Sequence, residues 1–179
     1  GATIGIYMLD GVTLAQMYDT TSKTYVPATW TSGTAAETIR GLAVSTTYIL
    51  RETVAPQGYA VTTDTQFTLD SDGNVTSYSG NKKGSVLLVE DNMTSVKIAK
   101  TDINGQKEIP GAKLEIVDDQ GNTAQMWNAN DKKFVDAKWT SGSDPQEIVG
   151  LTGGKTYTLK ETTAPQGYAV TTATEFKLN

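Results

Sequence analysis

Two glutamates occupy the same place in a phrase that the chain contains twice. Residues 48–63 read YILRETVAPQGYAVTT and residues 157–172 read YTLKETTAPQGYAVTT, so Glu52 and Glu161 correspond to each other. Because the side chains of a strand alternate between its two faces, each glutamate shares a face with the tyrosine and the leucine before it. A carboxylate in apolar surroundings is costly unless it has a partner or a proton. Both glutamates are therefore candidates for buried, chemically active acids.

Lysine and aspartate side chains in nearby strand-like segments offer complementary groups. In the segment VKIAK, Lys100 shares a face with two apolar residues, whereas Lys97 lies on the opposite face. In the segment VLLVED, Asp91 likewise shares a face with a leucine and a valine. Burial favours the neutral, nucleophilic form of an amine. A buried lysine, glutamate and aspartate or asparagine can form an amide bond: the amine attacks the side-chain carbonyl carbon, the glutamate relays protons, and water or ammonia leaves.

Composition excludes several other kinds of chemistry. The chain of 179 residues has no cysteine and no histidine, which removes disulfides, thiol nucleophiles and Ser-His-Asp triads, and it argues against a zinc site. We expect neither a cofactor nor a metal. A net charge of -5 argues against nucleic acid or an anionic membrane as a partner. No apolar run is long enough for a transmembrane helix and no signal peptide is present, so we expect a soluble, mature fragment.

A repeat of whole-domain length organises the chain. The motif WTSG begins at Trp30 and again at Trp139, 109 residues later, and the prolines of the two APQGY motifs have the same spacing. Short alternating segments separated by Asp, Asn and Gly turns predict strands throughout, so we expect an all-β protein of two antiparallel, immunoglobulin-like sandwiches. The predicted domains span residues 1–93 and 94–179. The two copies do not begin and end at the same point of the repeat. The first is expected to lack its first strand, and the second is expected to lack its last strand.

These motifs resemble a known family of bacterial surface domains. The segments KTD at Lys100, PGAKLE at Pro110 and ETTAPQGY at Glu161 resemble the B-type repeat of Gram-positive collagen adhesins, called prealbumin-like in sortase-assembled pilins. The resemblance covers essentially the whole chain. It implies an intramolecular isopeptide bond between lysine and asparagine or aspartate, with Glu52 and Glu161 as catalysts, Lys100 as the amine and Asp91 as the acceptor. Asn92 is the alternative acceptor, because parity alone does not fix the register there.

The resemblance implies a structural stalk or shaft module rather than an enzyme, since the bond would form once and autocatalytically. It also implies an extracellular, cell-wall-anchored location. Neither copy holds all three reacting residues, so we expect a complementing strand, from another copy, a separate peptide or flanking residues, to complete each domain. Two alternatives stay open at this stage. One is a module whose loops bind host matrix protein or glycan, and the other is an engineered split pair that ligates covalently.

Overall fold

The computed structural model describes residues 1–105 and 107–178, and every regular element in them is a β-strand. The prediction of an all-β chain is confirmed. The chain divides into two compact units: unit 1 comprises Gly1–Pro56 and Val61–Asp91, and unit 2 comprises Gln57–Ala60 and Asn92–Asn179. This division falls two residues before the boundary predicted from the sequence, and it assigns a short piece of the first repeat to unit 2. Nowhere in the described ranges does a helix of membrane-spanning length and apolarity occur.

Unit 1 is built on a five-stranded antiparallel sheet with the order β4-β1-β5-β6-β7. Two hairpins complete it, β2 with β3 and β8 with β9. The nine strands are β1 Thr3–Met8, β2 Gln16–Asp19, β3 Thr24–Pro27, β4 Thr29–Thr31, β5 Thr47–Val54, β6 Thr65–Leu69, β7 Val75–Tyr78, β8 Asn81–Lys83 and β9 Val86–Leu88.

Unit 2 repeats this plan with a four-stranded sheet in the order β14-β11-β16-β17. Two pairs complete it, β12 with β13 and β10 with β15. Its strands are β10 Ser95–Ile98, β11 Lys113–Asp118, β12 Gln125–Asn128, β13 Lys133–Asp136, β14 Lys138–Thr140, β15 Gln146–Val149, β16 Thr156–Thr163 and β17 Thr174–Lys177.

Alternation of apolar side chains along these strands builds a separate core in each unit. Ile116, Ile148 and Leu151 are the large side chains with no appreciable exposure, and all three lie in unit 2. Two alanines let strands approach closely. Ala28 in unit 1 and Ala137 in unit 2 are completely buried, and the carbonyl of each accepts a hydrogen bond from the isoleucine of the neighbouring strand, at 2.8 and 3.0 Å.

The two units differ at one edge of the core. In unit 2, β10 pairs antiparallel with β15, and Val96 and Ile98 of β10 pack against the core. In unit 1, residues 37–40 hold the place of β15 in the repeat but form no strand. No described strand of unit 1 occupies the position that β10 has in unit 2. Conversely, β7, β8 and β9 have no counterparts among the described residues of unit 2. That a strand from elsewhere fills these places stays a prediction.

Candidate functional site

Each repeat buries its glutamate at the same place in its main sheet. Glu52 lies in β5 opposite Ile4 of β1, and Glu161 lies in β16 opposite Leu114 of β11. Both are buried, with 3% and 7% of their surface exposed. Next to each glutamate the strand register shifts at a β-bulge, between Thr3 and Ile4 in unit 1 and between Lys113 and Leu114 in unit 2. The alternation of β5 and β16 therefore places an acid in apolar surroundings, as the sequence predicts.

A backbone amide ten residues further along the chain holds one oxygen of each glutamate. The N–H of Thr62 donates to Oε2 of Glu52 at 2.9 Å, and the N–H of Thr171 donates to Oε2 of Glu161 at 2.6 Å. The chain returns to the glutamate through the Pro-Gln-Gly turn, whose glycine has a positive φ. This contact fixes each carboxyl group and leaves its second oxygen, Oε1, directed elsewhere.

In unit 2 the second oxygen faces a lysine. Nζ of Lys100 lies 3.4 Å from Oε1 of Glu161, and the exposed fractions of the two side chains are 10% and 0%. Lys100 follows the end of β10, where its N–H donates to the Glu108 carboxylate at 2.8 Å and its carbonyl accepts from Ile109 at 2.7 Å. These bonds keep the backbone in place, so that the side chain points inward. No hydrogen bond satisfies Oε1, and a cavity of about 190 Å³ adjoins both residues.

In unit 1 the second oxygen faces an acid. Oε1 of Glu52 and Oδ1 of Asp91 are both buried without a hydrogen-bond partner. Burial raises the pKa of Glu52 above its ordinary value, and the charge of Asp91 raises it further. Burial also raises the pKa of Asp91. No lysine or arginine in the described part of the chain forms an ion pair with either group. Two neighbouring buried carboxyls without a cation favour holding a proton between them.

The predicted site residues thus fall into two groups. Lys100 lies with Glu161, and Asp91 lies with Glu52. Asn92, the alternative acceptor, is exposed, and its carbonyl accepts a hydrogen bond from the N–H of Ala60 at 3.0 Å within unit 2. The geometry therefore favours Asp91 over Asn92 as the group beside the unit 1 glutamate.

Sequence reasoning did not identify three residues that position the site. Thr62 and Thr171 hold the glutamates, and Glu108 holds the backbone of Lys100. Both threonines belong to the repeated phrase, and their constant distance from the glutamate was the available signal. Nothing in the spacing of Glu108 indicated its contact, because the second repeat alone contains that stretch.

Each group contains two of the three parts that amide formation needs. Unit 2 has an amine beside a carboxyl with one free oxygen, which is the arrangement for proton transfer from the amine. Unit 1 has a carboxyl with a raised pKa beside a second carboxyl, and a protonated acid is a better target for an amine than a carboxylate. One oxygen of each of the three carboxyls, Glu52 Oε1, Asp91 Oδ1 and Glu161 Oε1, is buried, and proton transfers gain most from fixed geometry away from water.

Comparison with known proteins identifies the domain type. The family model described as the SpaA prealbumin-like fold domain matches residues 1–83 and again residues 94–179. Among curated proteins, none matches this chain.

Several solved structures are similar over the whole chain. The shaft pilin SpaA of Lactobacillus rhamnosus GG is 18% identical with a TM-score of 0.40, and the match covers 100% of this chain and 83% of the pilin. The TIE protein of Bacillus anthracis is 22% identical with a TM-score of 0.40, over 99% of this chain and 28% of that protein. The pilus adhesin SpaC of Lactobacillus rhamnosus GG is 20% identical with a TM-score of 0.39, over 99% and 23%.

Proposed function

The chain belongs to the SpaA prealbumin-like fold domain family, and from this we propose that it is a structural module of a bacterial surface pilus or adhesin, reinforced by amide bonds between lysine and aspartate side chains. Its place would be outside the cell, on the cell wall of a Gram-positive bacterium. The module would hold a binding tip away from the surface and resist pulling and proteolysis. Its neighbours would be further copies of the same domain.

One observation supports this proposal: each repeat holds two of the three residue types that an amide-forming site would need, and the two repeats hold different pairs. Unit 2 has the lysine and the glutamate, with Nζ and Oε1 3.4 Å apart. Unit 1 has a buried glutamate and a half-buried aspartate whose Oδ1 is buried, both with raised pKa values. An isolated buried charge is unfavourable, so the repetition of this acid in both units supports a chemical role.

The bond would form by condensation. The neutral amine of a lysine attacks Cγ of the protonated Asp91, and the new C–N bond replaces a C–O bond. Glu52 takes the proton that the nitrogen loses and passes it to the departing hydroxyl, which leaves as water. Lysine amine and aspartic acid are thereby converted to one amide and one water, and no other reactant is consumed. Fixed proximity in a dry site supplies the rate enhancement.

The lysine for Glu52 and Asp91 would arrive on a complementing strand. Beside residues 37–40, unit 1 has a cavity of about 630 Å³ whose lining includes the apolar residues Ile39, Leu50, Phe67 and Leu87. In unit 2 the equivalent place is filled by β10, which pairs with β15 and ends two residues before Lys100. A strand with the β10 pattern would fill the cavity with its two apolar side chains and direct its lysine to Glu52.

This geometry suits a stalk. An amide bond at the end of a complementing strand would join the first and last strands of a sandwich, which are the strands that carry a pulling force. A covalent tie there prevents the domain from extending even when its hydrogen bonds break. It also lowers the entropy of the unfolded chain, as other cross-links do.

The proposal is tested by adding a peptide with the sequence of residues 94–102, TSVKIAKTD, to the whole chain. We expect a covalent adduct with the mass of chain plus peptide less one water. A control peptide with norleucine in place of the second lysine should bind without forming an adduct. The Asp91→Ala and Glu52→Gln variants should form none, whereas Asn92→Ala should react normally.

Two results would contradict the proposal. A folded chain that forms no adduct with the lysine peptide rules out a competent site at Glu52 and Asp91. An adduct that persists in Asp91→Ala, disappears in Asn92→Ala and has lost ammonia instead of water assigns the acceptor to Asn92. Tandem mass spectrometry of the cross-linked peptide would identify the bonded residue directly.

A further inference from the structure

A glycine turn covers an aromatic pair in unit 2. The rings of Trp127 and Phe134, on the β12–β13 hairpin, meet edge to face with centroids 5.3 Å apart and planes at 69°. The segment Gln57–Ala60, which belongs to unit 2, lies on this pair. A Cβ atom at Gly58 would stand 2.8 Å from Cζ of Phe134 and 3.1 Å from the carbonyl oxygen of Gly150. Only glycine fits at this contact.

Hydrogen bonds hold the same turn on unit 2. The carbonyl of Gly58 accepts from the N–H of Thr94 at 3.1 Å, and the carbonyl of Tyr59 accepts from the N–H of Gly153 at 3.2 Å. Gly58 is buried as a result. The N–H of Ala60 also donates to the carbonyl of Asn92 at 3.0 Å. The seated turn thus combines a ring contact with three backbone bonds, the combination expected of a specific docking site.

Unit 1 has the same platform, and nothing covers it in the described part of the chain. Tyr18 and Tyr25 correspond to Trp127 and Phe134, and their centroids are 5.5 Å apart with planes at 68°. Gly41 has a φ of 80°, against 81° for its counterpart in unit 2. A Cβ at Gly41 would again meet the two aromatic residues, at 2.9 and 3.0 Å. Yet Tyr18 and Tyr25 are 37% and 61% exposed.

The second repeat has the same turn, and it lies free on the surface. Gly167 has a φ of 87°, against 85° for Gly58. No atom lies within 4 Å of a Cβ built at Gly167, and Tyr168 is 52% exposed. The glycine therefore has nearly the same φ in the uncovered turn as in the seated copy, so docking requires no appreciable change of φ at this residue.

We propose that the platform formed by Tyr18, Tyr25 and Gly41 binds residues 166–168 of a second copy of this chain. The contact would be head to tail, with Gly167 placed against the ring of Tyr25 as Gly58 is placed against Phe134. This interaction goes beyond the proposed amide chemistry and does not depend on it. The occupant is assigned by the chain itself, which seats the same turn on the same platform in unit 2.

The platform of unit 1 offers fewer bonds than that of unit 2. The N–H of Val44 corresponds to that of Gly153, whereas unit 1 has no described counterpart of Thr94. The association is therefore weaker than the seating in unit 2 and rises with concentration by mass action. Because the described residues offer one uncovered platform and one uncovered turn, the contact is heterologous and grows into open chains rather than closed dimers.

Sedimentation equilibrium of the whole chain tests the proposal. We expect the weight-average mass to rise with concentration past that of a dimer. Tyr25→Ser removes the platform ring, and Gly167→Asn adds a side chain while tolerating the positive φ. Each variant alone should associate about tenfold or more weakly. Val12→Ser, which changes an exposed apolar residue elsewhere on unit 1, should associate like the parent chain.

Mixing the two defective variants gives the decisive readout. Tyr25→Ser keeps its turn and Gly167→Asn keeps its platform, so an equimolar mixture should form one-to-one dimers and nothing larger. A parent chain that stays monomeric at every concentration, or single variants that associate normally, would overturn the proposal. If a variant does not fold by circular dichroism, the double variant Tyr18→Trp/Tyr25→Phe replaces it. That variant should tighten association, and unchanged association would contradict the platform assignment.

Discussion

Ile148, in the strand beside β10, is completely buried, whereas Ile39, which holds the same place in the first repeat, is only partly buried. Ile148 pairs with Val96 in the register of β10 and β15. Ile39 borders the cavity of unit 1 and belongs to no strand. The same residue in the same repeat position therefore has two environments, and the difference lies in the strand beside it.

This difference predicts unequal costs for one substitution. Ile148→Ala should lower the free energy of unfolding by about 2–5 kcal/mol, because it leaves a cavity in a closed core. Ile39→Ala should cost about half of that or less, because the side chain already borders open space. Urea unfolding of both variants measures the contrast. If a strand fills unit 1, adding the peptide TSVKIAKTD should raise the cost at Ile39, and equal costs before and after addition would argue against that filling.

The pair formed by Lys100 and Glu161 predicts a strong effect for the removal of one partner. Lys100→Met should destabilise unit 2 by about 3–5 kcal/mol, because it leaves the Glu161 carboxylate buried without its cation. Lys97→Met, on the exposed face of β10, should change stability by about 0.5 kcal/mol or less. The double variant Lys100→Met/Glu161→Gln should recover much of the loss. Thermal unfolding of the four chains decides the question, and additive losses would show that the two side chains do not interact.

The buried acids of unit 1 predict a particular dependence on pH. Both Glu52 and Asp91 have pKa values above their ordinary values of 4.5 and 3.8. The folded state therefore binds more protons than the unfolded state just above these values. The contribution of the two acids to the free energy of unfolding is complete below their ordinary pKa values. It is lost as pH rises through the raised values of the folded state.

Asp64 of unit 1 changes stability with pH in the opposite direction, because the Arg51 guanidinium lowers its pKa on folding. The measurement is consequently a difference between chains. The free energy of unfolding of the parent, minus that of Glu52→Gln/Asp91→Asn, should fall as pH rises above the ordinary carboxyl pKa values of about 4. Hydrogen exchange of the amides of β1 and β5 reports it for unit 1 alone. A difference that stays constant with pH would mean that the two acids titrate normally.

Two equivalent glycines predict unequal effects of alanine. Gly58→Ala and Gly167→Ala introduce the same strain at positive φ, which costs about 1 kcal/mol. At Gly58 the methyl group also meets the ring of Phe134 and the carbonyl of Gly150, and overpacking adds about 1–3 kcal/mol. Differential scanning calorimetry should therefore give a clearly lower Tm of unit 2 unfolding for Gly58→Ala than for Gly167→Ala. Equal effects would show that the seated turn yields without cost.

Much of the fold follows from local pattern. Alternation along the chain predicts that Lys100 lies inward and Lys97 outward, and the structure buries the first and exposes the second. The same rule predicts the burial of both glutamates. The repeat predicts two copies of one arrangement, and the corresponding strands do pair in the same register, as Glu52 with Ile4 and Glu161 with Leu114.

The remainder depends on tertiary contacts that no local pattern encodes. The amides of Thr62 and Thr171 reach the glutamates only because a turn reverses the chain by a particular path. Residues 37–40 have nearly the same apolar spacing as β15 but no partner strand, and a strand requires a partner for its backbone groups. The roles of Lys100, Asp91 and the glutamates in forming a bond stay predictions until a cross-link is sought.

The assignment of Gln57–Ala60 to unit 2 has a consequence for how the protein is made. These four residues lie in the loop between β5 and β6, so they leave the ribosome well before the rest of unit 2 is synthesised. Unit 1 must fold with part of that loop unsupported, and unit 2 completes its surface only by using a segment already present. A fragment that begins at Asn92 would lack these four residues, so unit 2 would be incomplete in it. We therefore expect unit 2 to complete its surface only after its own residues have folded against this earlier segment.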